Sequence, residues 1–178
     1  TYMTDDKLTF THMKTINTLF ILLFFAVAFA QKNTVDQQKI NTTLDAWHKA
    51  AGEAKFDLYF GMMTPDAIFI GTDATENWNR KAFEAFAKPY FDKGKAWNFS
   101  ALERNIYIDT KGKIAWFDEL LNTQMKICRG SGVMVKIGQN WKVQHYVLSM
   151  AIPNDNTKEV VKIKSTIEDV LIQKLQGK

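Results

Sequence analysis

Histidine, the side chain best suited to moving a proton near neutral pH, is scarce in this sequence. The chain holds three histidines, and His145 stands in an alternating run, Trp141-Lys142-Val143-Gln144-His145-Tyr146-Val147-Leu148-Ser149, which is the pattern of a strand. Trp141, Val143, His145, Val147 and Ser149 then share one face, which is expected to look inward, while Lys142, Gln144, Tyr146, Leu148 and Met150 share the other. An imidazole in a dry pocket beside a carboxylate can take or give a proton. The same residue can also be a core histidine bonded to a backbone group or hydroxyl. Asp118 and Glu119 are neighbours on a strand, so only one can enter a cavity. A carboxyl forced inward either serves as a general base with a shifted pKa or is neutralised by a cation, and Arg129 on the next strand offers a cross-strand pair. The Tyr59 phenol could orient a ligand oxygen.

Large apolar side chains form the second candidate set. Trp47, Tyr59, Phe60, Met63, Phe69, Trp78, Phe86, Tyr90 and Trp97 could line an apolar pocket or simply fill a core. Trp116, Arg129, Trp141 and Ser149 complete the expected ligand contacts from the later strands. His48 is expected at a pocket rim or in solvent, and Glu103 and Arg104 are expected to form strand salt bridges of no functional meaning. Other chemistries find no support. Gly130-Ser131-Gly132 lacks the strand–loop–helix setting of a dinucleotide loop and reads as small residues permitting close approach. No nucleophile elbow or H-E-x-x-H helix occurs. Cys128 reads as an inert buried thiol, and His48 and His145 are too few and too separated for a metal site. No cofactor is expected.

The elements that must hold these residues follow from periodicity. Ile40, Leu44, Trp47 and Ala51 form one stripe of a helix, with Thr34-x-x-Gln37 as a capping box and Gly52 as a stop. A second helical piece covers about 55–63 and ends at Thr64-Pro65-Asp66. Ala67-Ile68-Phe69-Ile70 is a buried strand. Asn79 caps a third helix, with Trp78 and Phe83 as its hydrophobic staple, and Pro89 is expected to kink or end it near Lys88. Four strands follow as a meander, about 97–108, 113–124, 128–137 and 140–150. Turn chemistry is clear at 109–112 and 138–140 and weak near 125–127. Pro153-Asn154-Asp155 breaks the sheet, and Asn156-x-x-Glu159 opens a tail helix with Val160, Ile163, Ile167 and Val170 on one stripe. Helices followed by an antiparallel meander describe an α+β layer fold.

The sequence has 178 residues, is 46% hydrophobic and contains one cysteine, which suits one globular domain without disulfide staples. Residues 19–30, LFILLFFAVAFA, are too short an apolar run to span a membrane. Lys14 stands before that run and Ala28-Phe29-Ala30 closes it, the order of an export signal. Residues 1–12 are therefore read as a leader and 13–30 as a signal peptide cleaved after Ala30. Residues 31–153 form the domain and 154–178 the helical tail. A periplasmic or secreted location follows, with no stable membrane anchor after cleavage. The net charge of +4 is mild and scattered, which argues against nucleic acid as a partner.

Three stretches on consecutive strands, Ala115-Trp116-Phe117-Asp118-Glu119, Arg129-Gly130-Ser131-Gly132-Val133 and the run Trp141–Ser149, resemble the SnoaL-like branch of the nuclear transport factor 2-like superfamily. The likeness covers about 35–153. It implies a curved sheet wrapped around helices as a cone with an internal pocket, and dimerisation through the outer sheet face. The apolar residues on both faces of the last strand agree with such pairing. The superfamily includes ketosteroid isomerase, scytalone dehydratase, limonene epoxide hydrolase and polyketide cyclases, together with pockets of no known chemistry, so the fold assigns no activity. Three readings stand. The first is a domain that binds a small, mainly apolar molecule. The second is a cofactor-free isomerase, lyase or hydrolase using His145 with Asp118 or Glu119. The third is an association domain with a filled cone.

Overall fold

The structure, a computed structural model, describes residues 34–177. The expected leader, export signal and cleavage position lie outside the described residues. Helix α1 covers 34–52. It is followed by α2 (Phe56–Gly61), β1 (Met63–Ile70), β2 (Asn77–Asn79) and α3 (Arg80–Asp92). Strands β3 (Phe99–Ile108), β4 (Ile114–Thr123), β5 (Lys126–Ile137) and β6 (Asn140–Met150) form the meander, and α4 (Thr157–Gln176) ends the chain. The six strands make one curved sheet in the order β2-β1-β6-β5-β4-β3. Helices α1, α2 and α3 cover its inner face, so the α+β reading and its curved sheet hold. The sheet is mixed, because β1 runs parallel to β6.

The inner face is written in the alternation of β4, where Ala115, Phe117, Glu119, Leu121 and Thr123 are buried. Ile40, Leu44, Trp47 and Ala51 of α1 are all sealed against the core, as a 3.6-residue stripe requires. At its entry α1 is tied to the sheet by Asp36. This carboxylate takes both bonds from Lys136 Nζ, at 2.7 and 2.8 Å, and accepts a third from Trp141 Nε1 at 3.3 Å. Burial works against ionisation of Asp36, but the hydrogen bonds from Lys136 and Trp141 outweigh it and hold the carboxyl below its usual range.

Three local expectations change. The segment 64–66 is strand rather than a helix stop. Its proline is tolerated because the β1–β6 register slips between Met63 and Ile68, so Pro65 owes no ladder bond there. Of the two effects expected of Pro89, a kink or an end near Lys88, the end does not occur: helix α3 runs through it to Asp92. Its last turn is held by Phe91, packed 5.5 Å from both Phe56 and Tyr59. The weak turn after β4 is a tight hairpin: Thr123 pairs Lys126, whose φ is +69°, and the Thr123 hydroxyl accepts from Met125 N–H at 2.9 Å. Asn79 does cap α3, accepting from Ala82 N–H at 2.9 Å, and Trp78 stacks on Phe83 at 5.7 Å.

The largest correction lies in β6. Met134 faces Val143 and Val133 faces His145, so Gln144 is an extra, unpaired residue, a β-bulge. One added residue exchanges the two faces beyond it. Trp141 and Val143 point inward as expected, but past the bulge Tyr146 and Leu148 turn inward. His145, Val147 and Ser149 are left on the outer face.

Candidate functional site

The inner face carries two distinct features, a buried polar cluster and an aromatic cleft. The cluster centres on Glu119, which is 1% exposed. Its Oε1 receives Tyr146 O–H at 2.9 Å and lies 2.8 Å from His48 Nε2. Its Oε2 receives Arg104 Nε at 2.8 Å. Burial alone would raise the Glu119 carboxyl, but the His48 hydrogen bond and attraction to His48 and Arg104 overcome it, and the group sits below its usual range. An ionised carboxylate only accepts, so His48 Nε2 carries the proton in their bond. The Tyr146 phenol moves the other way, pushed well up by burial and then by the Glu119 charge. Arg104 continues outward to Asp45 Oδ1 at 2.9 Å and Asn41 Oδ1 at 3.2 Å.

Register builds this cluster. Arg104 and Glu119 are direct partners across β3 and β4, and Glu119 faces Gly130 on β5. A side chain at Gly130 would place its Cβ 2.2 Å from the Tyr146 hydroxyl and 3.0 Å from Glu119 Oε1. The close approach inferred for this glycine is therefore the space in which phenol and carboxylate meet. Sequence reasoning missed His48 and Tyr146. Asn41, Asp45 and His48 recur at spacings of four and three on α1, a polar stripe beside the apolar one. That was the available signal for His48, which is buried rather than at a rim or in solvent. Tyr146 carried no signal, because its orientation depends on the bulge.

The cleft has a volume of about 230 Å³ and is walled by Phe69, Trp78, Phe83, Phe86, Tyr90, Trp97 and Phe99. Gly71, Thr72, Glu76, Gln124, Met125 and Leu148 also line it. Phe69 stacks on Phe83 at 4.0 Å and Trp78 on Phe86 at 4.4 Å. The Asn79 cap and the α3 stripe aim these rings at one hollow. His48 and Tyr146 stand one ring behind the wall, 5.8 Å from Phe99 and 5.5 Å from Phe69.

Five expected contacts, Phe69, Trp78, Phe86, Tyr90 and Trp97, thus meet in the cleft. Phe83, Phe99, Gln124, Met125, Leu148 and Glu76 join them without having been singled out as site residues. Phe83 was legible in the helix stripe, whereas Gln124 and Met125 arrive only through the hairpin. Trp47, Tyr59, Phe60 and Met63 are sealed core. Tyr59 stacks on Trp47 at 4.9 Å, and burial pushes its phenol well up. Trp141 is inward but committed to Asp36. Trp116 lies on the outer face, stacked on Tyr107 at 5.9 Å. Arg129 and Ser149 are paired neighbours on that same face, and Asp118 stands 4.0 Å from Arg129, the cross-strand contact considered for it. His145 and Asp118 therefore share the wrong side of the sheet for the cleft, and Glu119 is separated from both.

A helix-covered, curved α+β sheet enclosing an aromatic cleft defines a ligand-binding or enzymatic domain of the nuclear transport factor 2-like class. The SnoaL-like domain model matches residues 40–153, and the chain belongs to that family. Among solved structures it is similar to a nuclear transport factor 2-like protein of unknown function from Pseudomonas putida, at 13% identity and TM-score 0.58, covering 69% of this chain and 92% of that one. It is similar to a candidate dehydratase of the same fold family from Streptomyces avermitilis, at 11% identity and TM-score 0.59, covering 68% and 99%. A cystatin-like domain of unknown function from Nostoc punctiforme shares 14% identity at TM-score 0.58, covering 80% and 98%. These likenesses establish the fold alone. No curated protein matches the chain.

Proposed function

We propose that this protein is an exported SnoaL-like domain that binds a small, mainly apolar molecule in the aromatic cleft and works as a homodimer joined through its outer sheet face. The observation that carries the binding reading is the cleft itself, an open hollow of about 230 Å³ walled by seven aromatic rings. Concave, apolar sites with a few polar groups are where small ligands bind. Acid–base catalysis has weaker support. The acceptor sites of Glu119 are occupied by Arg104, Tyr146 and His48, and none of these residues lines the cleft. A proton-transfer group must reach the substrate directly or through one water. The pairing reading draws on exposed outer-face residues, among them Tyr107, Ile114, Trp116 and Ile137. The export reading draws on the apolar run 19–30 and its Ala28-Phe29-Ala30 end.

One experiment tests all three parts: native mass spectrometry of the protein isolated from the cells that make it. The expected result is a dimer of chains that start at Gln31, each carrying a bound small organic molecule. A chain retaining 1–30 overturns export, a monomer overturns pairing, and persistently empty clefts across extracts overturn the binding role.

A further inference from the structure

One charged side chain stands among the cleft-lining residues, Glu76. It is half-buried, and among the described residues no lysine, arginine or histidine forms an ion pair with it. Its position is built. Glu76 N–H donates to Asp73 O at 3.0 Å, Gly71 N–H donates to Glu76 O at 2.9 Å, and Oε2 receives Asp73 N–H at 3.1 Å. The carboxylate lies against the Gly71 backbone so closely that a Cβ there would stand 2.2 Å from Oε2. The group is held on the cleft wall instead of swinging into solvent.

The wall beside it is aromatic and partly bare. Trp78, Phe86 and Tyr90 form a continuous series, with centroids 4.4 and 5.4 Å apart. Phe86 is 38% and Tyr90 45% exposed. Ring faces carry the negative end of the aromatic quadrupole and attract cations. A neutral apolar ligand would strip water from Glu76 and return no partner, which is costly, and an anionic ligand would be repelled. A cation satisfies the carboxylate and the ring faces together.

We propose that the cleft selects an organic cation, an amine or quaternary ammonium group carried on an apolar body, with Glu76 as its counter-ion and Trp78, Phe86 and Tyr90 as its aromatic wall. This rests on the reading of the cleft as a binding site. Glu76 thereby decides ligand charge, while the deeper rings select an apolar body.

The test compares benzyltrimethylammonium with neopentylbenzene, its uncharged isostere, by titration followed through the emission of Trp78 and Trp97. The wild-type chain is expected to bind the ammonium at least about tenfold more tightly, the scale of a partly desolvated cation–π and ion-pair contact. Glu76→Gln keeps an oxygen for Asp73 N–H but removes the charge. It is expected to abolish most of the preference by weakening the ammonium, while neopentylbenzene, which no longer strips water from a charge, binds as tightly as before or more tightly. Equal affinities in the wild type, or a preference that survives Glu76→Gln, overturn the cation proposal and leave the apolar cleft standing. Failure of both probes to bind the wild type overturns the cleft reading and this proposal with it.

Discussion

A carboxylate buried among apolar side chains is tolerated only when its lone pairs are taken and a cation stands near. Glu119 meets both conditions, with Tyr146, His48 and Arg104 within 2.9 Å. These bonds join β3, β4, β6 and α1 at one point, so the cluster acts as a structural clamp beneath the cleft. Its folded-state pKa lies below the ordinary 4.5, so its contribution to stability is present above that value and is lost as pH falls through the lower folded pKa. Glu119→Gln leaves Arg104 without its inner charge. We expect a loss of about 3 kcal/mol in urea unfolding at neutral pH, the scale for breaking a buried pair. We also expect a shallower fall in stability below about pH 4.5 than the wild type shows. Parallel acid limbs for the two proteins would mean that Glu119 is not the ionised centre.

At the scale of elements, one residue in β6 and one whole helix carry the lesson. Gln144 is the extra residue that gives the inward place to Tyr146 and sends His145 outward. Without the bulge, Glu119 would lack its phenol donor. Helix α4 has the opposite character. It has no buried residue, and Ile163, Ile167 and Val170 are between 67% and 77% exposed. Asn156 makes no side-chain cap bond at its start. An element that buries nothing adds little to stability, since large effects need lost packing or lost polar partners. Ending the chain after Asn156 is expected to change the melting temperature by less than about 2 °C in calorimetry. A fall of more than about 5 °C would show that α4 packs on the domain in solution.

For the whole molecule, the sheet divides labour between its faces. The inner face is covered by helices and carries the aromatic cleft, whereas the outer face keeps Tyr107 and Trp116 stacked with half their surface in solvent. Residues of this kind anchor interfaces because they bury much area at little entropic cost. If the proposed pairing uses this face, Trp116→Lys gives a monomer in sedimentation velocity while leaving the circular dichroism spectrum and the cleft probes unaffected. A variant that stays dimeric places the interface elsewhere.

Much of the fold was legible because its signals are local. The stripe Ile40–Ala51 and the Asn79 cap with its Trp78–Phe83 staple each lie within a few residues and determined their helices, and alternation marked β4 as a strand without saying which of its faces is buried. The aromatic cleft was half legible for the same reason, since Trp78, Phe83, Phe86 and Tyr90 lie around one helix. What tertiary structure alone decided is everything that depends on register between distant strands. Whether Asp118 or Glu119 turns inward, that Arg104 and His48 meet it, that Gln124 and Met125 reach the cleft, and that His145 does not, all follow from pairing and from a single bulge. Side chains alternate with a period of two, so one extra residue reverses every orientation beyond it. No pattern within β6 marks Gln144 as that residue, because the slip is set by how β6 must meet β5 and β1 at once.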